Sequence, residues 1–162
     1  DYVSLALALE EIAAGDGATS TIVSVQNSVV CGPIAAFGTD AQKERWLMPL
    51  ARGELLGCFC LTEPQVGSDA GAIAMRAERR DDGYVLNGVK QFITTGKNAD
   101  VAVVFAVTDK AAGKKGISAF LVASPSPGLS FGAQERKMGW RARWPAIRTC
   151  CCSTSRSRRW IR

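Results

Sequence analysis

Apolar and polar positions change their rhythm once along this chain, near residue 54. Before it, Val3, Leu5, Leu7, Leu9 and Ile12 form one apolar segment that Gly15 and Gly17 stop, which predicts a helix. A second helix is predicted from about Ala18 to Val30, with Ile22, Val25, Val29 and Val30 on one face. Its polar face holds only uncharged Ser, Thr, Gln and Asn, so burial on several sides is expected, as in a bundle. Gly32-Pro33 should break or kink it before a short apolar helix, Ile34–Phe37. Thr39-Asp40-Ala41-Gln42 has the form of a capping box, and Pro49 should bend or end the helix that follows.

After Leu55 the pattern becomes that of strands. Leu55 to Phe59 predicts a short buried strand. Met75–Arg80 and Tyr84–Leu86 predict a hairpin turning at Asp81-Asp82-Gly83, and Asn87-Gly88 predicts a further turn. Gln91–Thr95, Val101–Val107, Ile117–Ala123 and Leu129–Phe131 complete the strands, with no helical pattern between them. The expected fold is therefore α+β: a helical segment over 1–54, then an antiparallel β-barrel or sandwich over 55–140.

Composition changes this picture at the C-terminal end. Residues 1–140 carry 13 Lys plus Arg and 15 Asp plus Glu, whereas residues 141–162 carry 7 Arg and no acid. The net charge of +5 thus belongs to a basic tail without helix or strand periodicity, and a nucleic-acid interface is not expected. The tail is expected to be irregular, and an out-of-frame translation would account for it. No run of eighteen apolar residues is present, so no membrane span is expected. Cys31, Cys58 and Cys60 sit in apolar settings as reduced thiols, which suits a reducing compartment. The start at Asp1-Tyr2-Val3-Ser4 has the look of a fragment.

The chain has no His, which removes Ser-His-Asp and Cys-His catalysis, and a zinc site is not expected. No P-loop or Gly-x-Gly-x-x-Gly occurs. Two polar constellations at strand ends remain: Cys60–Asp69 and Phe92-Ile93-Thr94-Thr95. The first, with Thr62, Gly67 and Ser68, suits a phosphate or an extended polar ligand, because it offers backbone N–H groups and small hydroxyls.

These residues resemble the acyl-CoA dehydrogenase family. Phe59-Cys60-Leu61-Thr62-Glu63-Pro64-Gln65-Val66-Gly67-Ser68-Asp69 is similar to its first signature, and Asn87-Gly88-Val89-Lys90-Gln91-Phe92-Ile93-Thr94 to its second flavin-contacting strand. Thr39–Lys43, Lys115–Phe120 and Lys137–Arg141 follow the family pattern in order. Val66 departs from it, standing where the family usually has Ala or Gly; Phe92 replaces a frequent Trp. The resemblance covers residues 1 to about 141, where the family would continue with a strand and a C-terminal helical bundle.

The resemblance implies FAD-dependent α,β-dehydrogenation of acyl-CoA thioesters, of short- or medium-chain type. Phe59, Cys60, Leu61, Thr62, Gly67, Ser68, Phe92, Ile93 and Thr94 would contact the cofactor, with Thr62 and Thr94 at the flavin N5/O4 edge. Ser68, Lys114 and Lys115 would reach the acyl-CoA substrate. Glu63 is expected to be tied to backbone or to a cation, because the family's base is a Glu in or leading into the C-terminal helical domain. The parent enzyme would be a homotetramer passing electrons to an electron-transfer flavoprotein, in the cytoplasm or, in a eukaryote, the mitochondrial matrix. Two alternatives remain: an acyl-CoA oxidase of the same fold, and a non-catalytic remnant. The isolated chain is expected to bind FAD weakly or not at all, without turnover.

Overall fold

The computed structural model describes residues 1–80, 83–135 and 149–154, the stretches 133–135 and 149–154 by main chain alone. The helical part opens with α1 (Tyr2–Gly15), capped by the Asp1 carboxylate, which accepts from the Ser4 N–H at 2.8 Å. Asp16 ends α1 and caps α2 (Gly17–Val25), accepting from the Ala18 and Thr19 N–H groups. A π-type turn, Gln26–Cys31, leads into α3 (Gly32–Phe37). The Thr39 capping box opens α4 (Asp40–Gln42), and a second π-type turn, Lys43–Leu47, leads into α5 (Met48–Arg52).

Neither proline ends its helix. Before each, the turn widens: the Gly32 N–H bonds the Asn27 carbonyl ahead of Pro33, and the Met48 N–H bonds the Lys43 carbonyl ahead of Pro49. The wider turn absorbs the missing N–H and the ring's clash with the preceding carbonyl. The stop after α5 comes from Gly53 instead, in the left-handed conformation at φ +74°.

Burial in the helices is one-ended. α1 and α2 bury no residue, and Tyr2, Val3 and Leu7 of α1 are exposed; in the second predicted helix, Ala18–Val30, only Val30 is buried, so the burial expected on several of its sides is not seen among the described residues. Packing begins where the helices meet the sheet: Val30, Ile34 and Leu50 join Val101 and Val103 in one core. Gly17–Phe37 has the length and mean hydropathy, 1.3, of a membrane-spanning helix, but by length and composition only, which is weak evidence for a span. It is docked on the sheet through Val30 and Ile34.

The sheet comprises β1 (Gly57–Cys60), β2 (Arg76–Arg80), β3 (Gly83–Ile93), β4 (Val101–Val107), β5 (Ile117–Ala123), β6 (Leu129–Glu135) and β7 (Thr149–Thr154). β4 is its spine. It pairs antiparallel with β5, and its other edge takes β1 and, at Arg76↔Val107, the start of β2. Both of those pairings are parallel, so the sheet is mixed and, among the described strands, unclosed; this corrects the antiparallel barrel. The long connection through β2 and β3 supplies the crossover that a parallel β1·β4 pair needs. β4 is apolar on both faces because both are covered. Val101 and Val103 face the helices, while Ala102, Val104 and Ala106 join Cys58, Cys60, Met75, Leu86, Ile93, Phe120 and Val122 in a second core.

β2 and β3 form the expected hairpin, with Arg80 opposite Gly83; the turn itself lies outside the described residues. No turn occurs at Asn87-Gly88, where β3 runs straight on. It exchanges β2 for β7 at this point, and a Cβ on Gly88 would sit 2.7 Å from Met75. Within the segment expected to be irregular, Thr149–Thr154 pairs as β7 between β3 and β6. The rest of 141–162 lies outside the described residues.

Candidate functional site

The two stretches singled out in the sequence lie side by side. The Gln91 N–H donates to the Thr62 carbonyl at 2.8 Å, and the Thr95 hydroxyl donates to the Gly57 carbonyl at 2.8 Å. The end of β3 therefore runs along β1 and the loop that follows it.

The ladder of β3 slips between Lys90 and Ile93, a bulge in which two residues, Gln91 and Phe92, face one of β7. Phe92 occupies it at φ +58°, and Thr95 follows at φ +59°. Left-handed backbone is uncommon for an aromatic residue and costs roughly 1–2 kcal/mol. The bulge reverses the in–out alternation, sending Ile93 into the core and leaving Phe92 55% exposed. An exposed aromatic ring held in this conformation beside a polar loop makes Phe92 a candidate for a ligand contact.

Side-chain access divides the expected cofactor residues. Leu61, Thr62 and Thr94 are half-buried, and Gly67, Ser68 and Phe92 are exposed. Among the described residues, the hydroxyls of Thr62, Ser68 and Thr94 have no hydrogen-bond partner, and nothing lies within 4 Å of a Cβ built on Gly67. Cys60 and Ile93 are each 1% exposed, so only their main chain could meet a ligand. The Phe59 ring points to the helices, edge-on to Phe105 with centroids 5.1 Å apart. Lys114 and Lys115 are exposed in the turn before β5; the stem of Lys114 lies across Gly71, where a Cβ would sit 2.6 Å from its Cε.

Glu63 is buried and engaged on both oxygens. Oε1 accepts from Lys90 Nζ at 2.8 Å and from the Met75 N–H at 3.0 Å; Oε2 accepts from the Ala74 N–H at 2.7 Å and from Gln65 Nε2 at 2.8 Å. Burial opposes its ionisation, but the Lys90 hydrogen bond, the two backbone N–H donors and the Lys90 charge outweigh that and hold the carboxyl below its ordinary value. Lys90 also donates to the Leu61 carbonyl at 3.0 Å. Burial pulls its ammonium below the ordinary value, which the hydrogen bond and charge of Glu63 only partly restore. The two shifts value the pair oppositely; four donors converging on one carboxylate favour ionised Glu63. Glu63 is thus tied to backbone and to a cation, as expected.

Two groups were missed in the sequence. Lys90 falls on the inward alternation of β3 with Leu86, which was the available signal. Gln26 stands on the uncharged polar face of the second predicted helix, where burial is expected but no partner is indicated. Its Nε2 donates to the Leu50 and Leu55 carbonyls, each at 3.0 Å, and its Oε1 accepts from the Gly57 N–H at 2.9 Å, fastening the helices to the start of the sheet. Among the described residues, no group of three His, Cys, Asp or Glu side chains could hold a metal.

Comparison with known proteins accords with this geometry. Residues 1–54 match the acyl-CoA dehydrogenase N-terminal domain, and residues 58–150 match the acyl-CoA dehydrogenase middle domain. The chain is 49% identical over 142 residues to the mitochondrial short-chain specific acyl-CoA dehydrogenase of Rattus norvegicus, spanning 88% of this chain and 34% of that one. Butyryl-CoA dehydrogenase from Megasphaera elsdenii superposes with a TM-score of 0.84 at 43% identity, over 91% of this chain and 38% of that one. Glutaryl-CoA dehydrogenase from Mycobacterium smegmatis, solved with FADH2, gives 0.82 at 39% identity, over 93% and 37%. The chain spans little more than a third of these relatives' length. With both domain matches in chain order and the signature residues in place, the chain belongs to the acyl-CoA dehydrogenase family.

Proposed function

We propose that this chain supplies one wall of the FAD site of an acyl-CoA dehydrogenase that desaturates acyl-CoA thioesters between the α and β carbons. The observation that carries this is the seam of Thr62 against Gln91, which brings two stretches with unpartnered hydroxyls and the exposed ring of Phe92 together. Thr62 and Thr94 suit the flavin edge on which charge gathers, and Phe92 offers it an aromatic face. Gly67 and Ser68 offer open backbone and a hydroxyl to its pyrophosphate. Lys114, laid across Gly71, and Lys115 offer cations to phosphates of the thioester. Bound FAD would supply the hydride acceptor.

The base that removes the α-proton lies outside this chain. Glu63 does not serve, since Lys90, Gln65 and two backbone N–H groups engage both its oxygens. The isolated chain accordingly binds FAD weakly and turns nothing over. The names of the relatives favour a short acyl chain and, for the rat protein, a mitochondrial setting; a cytoplasmic setting in a bacterium, an electron-transfer flavoprotein as acceptor and a tetrameric parent rest on the family resemblance. The basic segment 141–162, of which only residues up to 150 fall within the middle-domain match, owes its composition to a change of reading frame, which sequencing the encoding DNA would test.

FAD titrated into the purified chain, followed by flavin fluorescence, tests the reading. Saturable binding that weakens in Ser68→Ala and Phe92→Ala is expected; the same response in wild type and both variants would sink it. Formation of 2-enoyl-CoA from butyryl-CoA by the isolated chain would overturn the placement of the base.

A further inference from the structure

We propose that Lys90 is the positioning residue of the flavin wall: it ties Leu61 and Glu63 of the loop to β3 and so sets Thr62 against the Phe92–Thr94 stretch. The proposal rests on the flavin reading above. Lys90 and Gln91 between them hold three consecutive residues, since Lys90 Nζ meets the Leu61 carbonyl at 3.0 Å and Glu63 at 2.8 Å while the Gln91 N–H meets the Thr62 carbonyl at 2.8 Å. The ties lie immediately before the bulge that turns Phe92 outward. Thr62 is therefore fixed through its own carbonyl and both neighbours, and its hydroxyl is left for a ligand.

The same ion pair closes the far side of the loop. Glu63 exchanges two backbone hydrogen bonds with Val66, at 2.9 and 3.0 Å, and its carboxylate receives the Ala74 and Met75 N–H groups at the entry to β2. Gly67 and Ser68 lie between these two attachments. A buried ion pair is a poor source of stability, since a well-packed apolar pair of the same volume often does as well. Its use lies in direction: an ammonium satisfied by two fixed oxygens admits one arrangement of the segments that carry them, whereas apolar side chains would tolerate several.

The test separates positioning from plain stability. In Lys90→Met, amide exchange should rise about tenfold or more at Ala74, Met75 and Gln91, while Val103 and Phe105 in β4 keep their protection. Equal loss across the whole sheet, or no loss at all, overturns the proposal. Lys90→Met/Glu63→Gln removes the stranded charge, and it should recover the thermal midpoint but not the affinity for FAD, which should stay about tenfold below wild type. Recovery of both, or wild-type affinity in either variant, overturns it. If Lys90→Met does not fold, the double variant alone decides. If the wild-type chain shows no response to FAD, the exchange pattern alone decides whether Lys90 sets the loop, and the flavin reading is decided by the same FAD titration on the full-length enzyme.

Discussion

Gln26 is the residue whose loss should most cleanly uncouple the two halves of the chain. Its side-chain amide makes three hydrogen bonds, to the carbonyls of Leu50 and Leu55 and from the N–H of Gly57. These span the end of α5, the connection and the start of β1. Each bond is worth about 1 kcal/mol net, so losing all three in Gln26→Leu costs about 3 kcal/mol, although the Leu50 carbonyl keeps the Gly53 N–H. Against a domain stability of roughly 5–15 kcal/mol, that is a large share. With an m-value of about 2 kcal/mol/M, the urea midpoint should fall by about 1.5 M. Gln26→Glu sharpens the test, because it keeps the acceptor for the Gly57 N–H but turns a carboxylate on two carbonyls. It should be at least as destabilising at pH 7 and recover in part as the pH falls and the acid gains a proton. Helical and β signals should also separate along the urea axis in both variants, as the shared core around Val30, Leu50 and Val101 loses its fastening. Unfolding free energies within about 0.5 kcal/mol of wild type in both variants would refute this account of the seam.

Gly57→Ala should cost about 1–3 kcal/mol by overpacking, since the new Cβ would sit 2.3 Å from Cγ1 of fully buried Val30; Val30→Ala in the same chain should return part of it, measured by urea denaturation. Glu63 has a lowered folded value, so its contribution is complete above the unfolded value of 4.5 and is lost as the pH falls through the folded one. The urea midpoint should therefore drop on acidification below 4.5, and Glu63→Gln should flatten that limb; an unchanged slope would count against an ionised Glu63. Phe92→Asn should raise the thermal midpoint by relieving up to about 1 kcal/mol of left-handed strain while weakening FAD binding; a fall in both would mean that the ring is holding the fold.

The sequence showed the elements well where burial follows periodicity, and poorly where one side chain acts over a distance. Val101–Val107 was legible because an apolar run without alternation requires cover on both faces, and helices cover one and the inner core the other. Its parallel partner was not legible. Gly57–Cys60 has the same apolar texture whichever way its neighbour runs, and the direction is settled by connections, not by composition. The prolines left two outcomes open for a related reason: Pro33 and Pro49 forbid one hydrogen bond each, and a single widened turn satisfies that demand without ending the helix.

The site shows the same division. Thr62 and Thr94 could be named from the motif, yet the motif does not say what brings them together. That work falls to Lys90 and Gln91, and a lysine in a strand is ordinarily taken as solvent-facing. Alternation from Leu86 would place Lys90 inward, and an inward lysine demands an acid partner; Glu63 was the acid already suspected of being tied down. The two facts stood 27 residues apart in the chain, and only the fold joins them. Phe92 was hidden differently. Strict alternation puts it inward with Lys90, and its exposure depends on a bulge that no Gly, Asn or Asp announces at that position. Such a bulge runs against the local rule, and that makes Phe92 the residue at which the proposed flavin contact is best tested.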